Sequence, residues 1–180
     1  MRIIAGSARG RRLTGPRGVV TRPPTDRMKE GLFSALGDVV DGAVVIDLYA
    51  GTGSFGLEAL SRGATSATFV ERDRHALRAL RLNIATVALG GVIIVGDVES
   101  VLRREDGPFS LAFVDPPYAL PTESVAAVLA TLAGRLEQGA DVIVHRRRGQ
   151  EPAAVPGTLL VVKRRRYGDA EVWWYTKEAQ

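Results

Sequence analysis

Short apolar runs alternate with amphipathic stretches through the middle of the chain. The runs with the length and composition of buried strands are Val44–Leu48, Ala67–Val70, Val92–Val95, Leu111–Val114 and Val142–His145. The segments between them that have helical spacing of apolar positions are Gly56–Arg62, Arg74–Val87, Val98–Arg103 and Glu123–Leu136. Because strands that are apolar on both faces must be covered on both sides, the alternation predicts an α/β fold with a doubly wound, mostly parallel sheet.

The two ends of the chain depart from this alternation. The first 24 residues are rich in Gly, Arg and Pro and predict extended or hairpin structure that ends at Pro23-Pro24, after which Thr25 or Asp26 caps a helix. Near the other end, Thr158–Arg166 and Ala170–Thr176 are strand-like and are joined by a short turn, so they predict an antiparallel hairpin. We therefore expect a small N-terminal extension, and a parallel sheet that finishes with antiparallel strands.

Charge is distributed unevenly along the 180 residues, which carry a net charge of +4. Residues 1–40 have eight Lys or Arg against three acidic residues, and residues 145–180 have eight against four, whereas residues 41–144 have eight against thirteen. Basic ends around an acidic centre favour a polyanionic partner, although a solvated basic surface gives the same counts. We interpret residues 1–40 as the extension and residues 41–180 as the main domain.

The composition excludes several classes of site. The chain has no cysteine, which excludes disulfides, thiol nucleophiles and cysteine metal ligands. With His75 and His145 as the only histidines, we also expect no metal site. No apolar run approaches a membrane span, and the N-terminus lacks the apolar stretch of a secretory signal. We therefore expect a cytoplasmic globular protein that is a monomer.

A glycine-rich loop, Asp47–Gly56, follows the first predicted strand. Its glycines allow the backbone to turn tightly and to approach a ligand closely. Glu71 lies twenty residues after Gly51, at the end of the second predicted strand, where a carboxylate can accept hydrogen bonds from both hydroxyls of a ribose. The pattern indicates a cofactor that contains adenosine, and by itself it fits both NAD and S-adenosylmethionine (SAM).

Two further acidic residues favour SAM. Asp47 precedes the glycines at the end of the first strand, where a carboxylate suits a cationic sulfonium and an amino group better than a pyrophosphate. Asp97 follows the third strand and can accept from an adenine amino group, cap the next helix, or do both. The residues of these segments that we predict to bind the cofactor are Asp47, Tyr49, Gly51, Gly53, Glu71, Arg72, Asp97 and Val98.

The fourth predicted strand leads directly into Asp115-Pro116-Pro117-Tyr118, which we predict to be catalytic. An exocyclic amine on a base is a poor nucleophile, and acceptors aimed at its hydrogens stabilise the positive charge that develops during methylation. Asp115 supplies a carboxylate, Pro116 a backbone carbonyl, and Tyr118 a face on which a flipped base can stack. A simple turn after a strand is the alternative, and a base role for Asp115 stays open.

Four blocks of the sequence resemble the bacterial RsmD-type methyltransferases, which modify N2 of guanine in small-subunit ribosomal RNA. The blocks are Arg2–Gly6 with Arg9–Leu13, Arg22–Glu30 with Leu32-Phe33, Asp47–Gly63, and Asp115–Tyr118. The resemblance implies a class I, Rossmann-like methyltransferase fold, SAM as cofactor, and N2-methylation of one guanine in a 16S rRNA loop near the peptidyl site of a largely assembled small subunit. It also implies that the first helix closes over the cofactor, so we expect Thr25 and Arg27 to bind it. One stretch departs from the family, because the fifth strand ends Val142-Ile143-Val144-His145-Arg146-Arg147-Arg148, where an acidic residue is expected.

A ribosomal substrate gives the basic residues a partner. The residues that we predict to contact RNA are Arg9, Arg11, Arg12, Arg22, Arg146, Arg147 and Arg164. As phosphate contacts they would make binding strongly dependent on salt, whereas as solvated surface they would not.

Three other functions remain open from the residues alone. A DNA adenine-N6 methyltransferase could use the same Asp115–Tyr118 chemistry, although 180 residues leave little room for a target-recognition insertion. A nicotinamide-dependent oxidoreductase accounts for the glycine loop and Glu71 but leaves Asp47 and Asp115–Tyr118 unexplained. A noncatalytic RNA-binding module does not require the acidic positions that are present here.

Overall fold

A seven-stranded sheet forms the centre of the structure, a computed structural model that describes residues 1–15, 25–151 and 157–178. In chain order the strands are β1 (Val44–Leu48), β2 (Ser66–Glu71), β3 (Val92–Val95), β4 (Phe109–Val114), β5 (Leu136–Arg147), β6 (Leu159–Tyr167) and β7 (Ala170–Lys177). They lie in the order β3-β2-β1-β4-β5-β7-β6. Strands β1 to β5 pair in parallel, whereas β7 pairs antiparallel with both β5 and β6. The predicted doubly wound sheet with an antiparallel ending is confirmed.

Helices cover both faces of this sheet. Those in the described ranges are α1 (Asp26–Leu36), α2 (Ser54–Ser61), α3 (Arg74–Val87), α4 (Val98–Leu102) and α5 (Thr122–Ala133). The predicted cap of α1 is confirmed, because the hydroxyl of Thr25 accepts a 3.1 Å hydrogen bond from the backbone N–H of Met28. The predicted end of α5 at Leu136 is wrong, because Leu136 pairs with Phe109 and begins β5. The polar residues 137–139 hide this part of the strand from a search for apolar runs.

The side chains of each central strand enter two separate apolar layers. In the layer beneath α1, α2 and α3, the Phe113 ring stacks on Phe55 with centroids 5.2 Å apart and lies 5.5 Å from Phe33. In the layer beneath α4 and α5, Val114 packs with residues such as Leu129. Because successive positions of β4 serve opposite layers, all four residues from 111 to 114 are buried. Truncation of Phe113 to Ala would cost about 3–5 kcal/mol.

The N-terminal segment forms a hairpin-like turn against α1 and α2. Arg2 and Arg12 form an antiparallel bridge. The backbone N–H groups of Ile4 and Ala5 donate to the Glu58 carboxylate at 2.8 and 3.0 Å, so a helix side chain takes the place of a neighbouring strand. The predicted hairpin is confirmed for these residues, and the proline pair at its predicted end lies outside the described residues. The domain boundary at residue 40 stays a prediction.

Candidate cofactor and catalytic site

The loops after β1 and β4 meet at the carboxyl edge of the sheet. These strands are neighbours, and the backbone N–H of Asp115 donates to the carbonyl of Leu48 at 3.3 Å. The chain leaves β1 toward β2 on one side, while β4 lies on the other side, which makes this edge the topological switch point. The glycine loop and the Asp115–Tyr118 segment, 60 residues apart in sequence, therefore line one place in the fold.

The glycines of the loop serve two purposes. Gly53 has φ +77°, and a Cβ there would lie 2.5 Å from Cδ1 of Leu80. At Gly56, on the first turns of α2, a Cβ would lie 2.4 Å from the Phe69 ring. Side chains at these positions would push α2 away from β2 and α3. Gly51 has φ +57° but open space around its Cβ position, so there the requirement is conformational.

Asp47 is buried at the end of β1 with one oxygen unpaired. Its Oδ2 accepts a 2.9 Å hydrogen bond from the backbone N–H of Gly56, whereas its Oδ1 has no hydrogen-bond partner among the described residues. Burial raises the pKa of this carboxyl well above its ordinary value, and the negative charges of Asp115 and Glu71 raise it further. An unpaired carboxylate oxygen in an acidic surrounding is a ready acceptor for a cationic or amino group of a ligand.

Glu71 joins the loop after β1 to the loop after β2. Its Oε2 accepts from the backbone N–H of Gly51 at 2.7 Å. Its Oε1 accepts from the backbone N–H groups of Arg72 and Asp73 at 2.7 and 2.8 Å. An ionised carboxylate has about four acceptor positions, so Glu71 retains the capacity to accept from a ribose hydroxyl while it holds both loops.

Asp97 caps α4, as one of its two predicted roles requires. Its Oδ2 accepts from the backbone N–H of Ser100 at 3.3 Å, and its Oδ1 accepts from Nη1 of Arg72 at the same distance. Both side chains of this ion pair are exposed, so the pair itself contributes little stability. Val98, the first residue of α4, is buried. The role of Asp97 toward an adenine stays a prediction.

Tyr49 adopts a backbone conformation that is unusual for a residue with a side chain. Its φ is +58°, in the left-handed region. Burial, with the nearby negative charges of Asp97 and Glu99, raises the pKa of its hydroxyl to about 12. The hydroxyl therefore stays protonated near neutral pH and is available as a donor beside the cofactor loop.

Thr25 and Arg27 lie at the start of α1. Thr25 caps the helix, and both residues are exposed. In the described part of the chain, no hydrogen bond connects either residue to the glycine loop or to the acidic residues after the strands. Their predicted role in cofactor binding stays a prediction.

Asp115 forms a short contact with a histidine from the next strand. Its Oδ1 lies 2.6 Å from Nδ1 of His145, and the Tyr118 ring meets the imidazole edge-on with centroids 6.0 Å apart. Tyr118 is 42% exposed, which leaves part of its ring free to stack on a base. Burial and the charge of Asp115 raise the pKa of the Tyr118 hydroxyl. The carbonyl of Pro116 accepts no hydrogen bond from the described residues.

Arg146 lies inside the protein, where it holds the loop after β4. Only 1% of it is exposed, and its guanidinium donates to the carbonyls of Pro117 and Leu120 at 3.2 and 2.8 Å. Gln150 adds a 2.9 Å hydrogen bond from Nε2 to the carbonyl of Tyr118. Burial lowers the pKa of Arg146, because the charged form loses hydration. The prediction that Arg146 contacts RNA is wrong for the protein as described, since its donors face the loop and are shielded from solvent.

The other predicted RNA contacts differ in their surroundings. Arg9, Arg12 and Arg147 are exposed. Arg11 is also exposed, but its Nη1 donates to the carbonyls at the end of α3. Arg22 lies outside the described residues.

Arg164 belongs to an ion-pair cluster on β6 and β7. Its Nε and Nη2 donate to the buried carboxylate of Glu171 at 2.6 and 2.8 Å, and its guanidinium lies 4.4 Å from the centre of the Trp173 ring. The paired guanidinium lowers the pKa of Glu171, because it stabilises the carboxylate. About a third of the Arg164 side chain is exposed, so it can still present charge to an anion.

Two further kinds of feature are missing from the described residues. They contain no cluster of three or more His, Cys, Asp or Glu side chains that could hold a metal ion. None of the helices described above combines the length and the apolar composition needed to cross a bilayer.

A family model described as Conserved hypothetical protein 95 matches residues 1–176. The chain belongs to this family. The match covers both the hairpin-like N-terminal segment and the central sheet, so the whole fold described above is that of the family. The resemblance to RsmD-type proteins is also confirmed by individual relatives.

Three similar proteins have names that concern methylation. The chain is 35% identical to "Putative rRNA methyltransferase YlbH" of Bacillus subtilis over 98% of its length and 99% of that relative. It is 43% identical to "Ribosomal RNA small subunit methyltransferase D" of Escherichia coli over 66% of its length and 60% of that relative. The solved structure of "Putative methyltransferase yhhF from Escherichia coli" superposes with a TM-score of 0.85, at 35% identity and with 100% and 99% of the two chains covered.

His145 contacts a predicted catalytic residue in the structure, but we did not predict it as a site residue from the sequence. It lies 30 residues from Asp115 in sequence, and only the parallel pairing of β4 with β5 brings the two together. The available signal was the histidine itself, at a position where the family resemblance leads us to expect an acidic residue. A titratable side chain at the carboxyl end of a strand beside the switch point is a site candidate in its own right.

Proposed function

We propose that this protein is a SAM-dependent methyltransferase that methylates N2 of one guanine in 16S rRNA, within an assembled or nearly assembled small ribosomal subunit. The observation that carries the proposal is the contact between the loops after β1 and β4, where Asp115 donates its backbone N–H to Leu48. It brings a loop suited to an adenosine cofactor beside a segment suited to an amine on a base. Neither loop alone supports both parts of the reaction.

The charge of the site favours SAM over a dinucleotide. Asp47, Glu71 and Asp115 are close enough that the last two raise the pKa of Asp47 through their negative charge. A pyrophosphate would add negative charge beside these carboxylates, whereas a sulfonium and an amino group would relieve their repulsion. The unpaired Oδ1 of Asp47 fits an amino or ammonium donor. When bound, SAM would supply an electrophilic methyl group.

The chain's own groups would then act on the acceptor amine. Oδ2 of Asp115 and the carbonyl of Pro116 are acceptors for its two hydrogens, and they stabilise the positive charge that develops on nitrogen. The partly exposed ring of Tyr118 would hold the base in the orientation needed for in-line attack. Arg146 fixes the loop that carries these groups from behind, through the carbonyls of Pro117 and Leu120.

The relatives support an RNA substrate, and the family resemblance supports the finer assignment. Both curated relatives described above are named for rRNA methylation, one of them for the small subunit. The choice of guanine N2 rests on the RsmD-type sequence blocks. A ribosomal substrate also implies work in the cytoplasm, and the exposed Arg9, Arg12 and Arg147 supply positive charge for RNA phosphates.

Titration calorimetry with SAM, its demethylated product and NAD tests the cofactor part of the proposal. We expect binding of SAM and the product at micromolar or lower Kd, and no measurable heat with NAD. Asp47→Ala should weaken SAM binding, with Asp106→Ala, at an exposed position, as the matched control. NAD binding in the absence of SAM binding would instead favour an oxidoreductase and would refute the proposal.

A further inference from the structure

The end of β5 places a histidine directly beside the proposed catalytic carboxylate. Val144 pairs with Val114, so the next residue on each strand, His145 and Asp115, lies at the same edge. The distance from Nδ1 to Oδ1 is 2.6 Å. The imidazole is 6% exposed and the carboxylate 27% exposed, so the histidine lies behind Asp115 and the carboxylate faces the solvent side.

The chemistry of the pair determines which nitrogen carries the proton. An ionised carboxylate only accepts hydrogen bonds, so the 2.6 Å contact requires a proton on Nδ1 of His145. Nε2 of the same ring is buried and has no hydrogen-bond partner among the described residues. A charged imidazolium would leave a buried N–H donor unpaired there, which costs more than an unpaired lone pair. The geometry therefore favours the neutral tautomer with its proton on Nδ1.

The hydrogen bond fixes which oxygen of Asp115 is free. The last torsion of an aspartate is soft, and an unrestrained carboxylate rotates over a broad range. With Oδ1 held by His145, the carboxylate keeps one orientation and Oδ2 remains to accept from a substrate. An acceptor that is oriented before the reaction stabilises developing charge without reorganising at that moment.

We propose that His145 is a positioning residue for methyl transfer. It acts through Asp115, whose carboxylate it holds with Oδ2 available to the acceptor amine, and it does not touch the reacting atoms itself. This inference rests on the proposed function, because the amine is the group that Oδ2 would meet. An acidic side chain at position 145 could donate to an ionised Asp115 only if it were itself protonated, whereas a neutral histidine carries an N–H donor.

Two substitutions separate positioning from packing. His145→Leu keeps much of the side-chain volume but removes the donor, whereas His145→Asn keeps an N–H donor close to the position of Nδ1. We expect His145→Leu to lower kcat by about 10- to 100-fold, the range for the loss of one oriented group in a polar site, with the KM for SAM within about twofold of wild type. We expect His145→Asn to recover kcat to within a few-fold of wild type. His75→Leu, at an exposed position of α3, is the matched control and should leave kcat unchanged.

A spectroscopic measurement tests the pair without any turnover. The chain has two histidines, so the imidazole nitrogens of His145 can be assigned by nitrogen-15 NMR with His75→Leu as the reference. We expect wild-type His145 to carry its proton on Nδ1. In Asp115→Ala the acceptor for that proton is lost, so the preference for Nδ1 should weaken and the share of the Nε2 tautomer should rise, while the signals of His75 stay in place.

Three results would overturn the inference. The first is a His145→Leu variant that folds and retains wild-type kcat, and the second is a His145→Asn variant that is as impaired as His145→Leu. The third is a wild-type NMR spectrum with the proton on Nε2, which applies even if His145→Leu fails to fold. Failure of the proposed function looks different. Wild-type protein would then transfer no methyl group to ribosomal RNA, although the tautomer of His145 and its response to Asp115→Ala remained as expected.

Discussion

The backbone N–H of Gly51 donates a 2.7 Å hydrogen bond to Oε2 of Glu71. The same carboxylate accepts from the backbone after β2, so one side chain sets the spacing between the two loops that would enclose an adenosine. The protein's own hydrogen bonds thus hold these two loops together. Preorganisation of this kind lowers the ordering cost of binding.

Replacement of Glu71 tests this organisation. In Glu71→Gln one oxygen and the negative charge are lost, and hydrogen bonds to charged groups are each worth about 1.5–3 kcal/mol. We expect the Kd for SAM to rise at least tenfold in calorimetry, with kcat at saturating SAM little changed. Glu137→Gln, at an exposed position of β5, is the control and should bind SAM as wild type does. An unchanged Kd for Glu71→Gln would contradict the assigned role.

We expect the ionised Asp47 carboxylate to favour cofactor binding but to destabilise the folded protein, so that the stability depends on pH. Burial raises its pKa in the folded protein above the unfolded value, so the folded state holds the proton more tightly. Its contribution to stability is therefore fully present below the ordinary aspartate pKa of 3.8 and is lost as the pH rises through the folded-state pKa. Asp47→Asn does not titrate and escapes this loss.

Urea unfolding of wild type and Asp47→Asn from pH 4 to pH 8 measures this effect. The free energy of unfolding of Asp47→Asn, relative to wild type, should increase with pH, while its affinity for SAM falls. Asp106→Asn, which removes an exposed carboxylate, should show neither change. A relative stability of Asp47→Asn that falls with rising pH would show that the buried carboxylate is compensated in the native protein.

Two adjacent arginines of β5 should have separable effects. Arg146 is buried against the loop after β4, whereas Arg147 is exposed. Arg146→Met should lower kcat and leave RNA affinity nearly unchanged. Arg147→Gln should weaken RNA binding and reduce the slope of log K against log salt by about 0.7–0.9, the value for one phosphate contact. Filter binding across a salt series, together with measurement of kcat, distinguishes the two variants. A normal kcat with a reduced salt slope for Arg146→Met would instead indicate that Arg146 contacts RNA.

The attachment of the N-terminal segment depends on a buried ion pair. Nζ of Lys29 donates to the carbonyl of Arg2 at 2.7 Å and to Glu58 at 3.3 Å, and neither charged side chain is exposed. Lys29→Met removes the buried cation, but Nε of Arg62 still donates to Glu58 at 2.8 Å. We therefore expect a loss larger than about 1 kcal/mol but below the about 3–5 kcal/mol of a fully unpaired buried charge. Arg2→Met breaks an exposed pair with Asp26 and should cost about 1 kcal/mol or less. Equal losses in chemical denaturation would contradict the structural role of Lys29.

The central fold could be predicted because each of its elements has a local signal. Helix α3 and strand β3 have the predicted bounds, since Arg74–Val87 is amphipathic throughout and Val92–Val95 is a continuous apolar run. The sequence predicts strand β5 at its apolar centre but not over Leu136–Ala140, where Leu136 pairs with Phe109 and the polar residues 137–139 lie exposed. Whether such positions belong to a strand depends on their pairing with a strand that is distant in sequence, and a local pattern carries no information about that pairing.

The candidate site also contains both residues that could be predicted from local patterns and residues that could not. Asp47, Glu71 and Asp115 could be predicted because carboxylates that follow apolar strands gather at one edge of a parallel sheet. The burial of Arg146 could not be predicted, because a run of arginines is typical of exposed surface. Only the structure shows that the carbonyls of Pro117 and Leu120 accept hydrogen bonds from its guanidinium. Contacts between side chains and distant backbone carbonyls depend on loop geometry, which composition does not encode.

The most direct test of the account is methyl transfer from labelled SAM to small ribosomal subunits that lack the modification, followed by nucleoside analysis of the 16S rRNA. We predict that wild-type protein places label in N2-methylguanine at one position, and that Asp115→Asn loses at least about 100-fold in rate while its SAM affinity stays near wild type. Label in N6-methyladenine, label on DNA instead of RNA, or full activity in Asp115→Asn would contradict it.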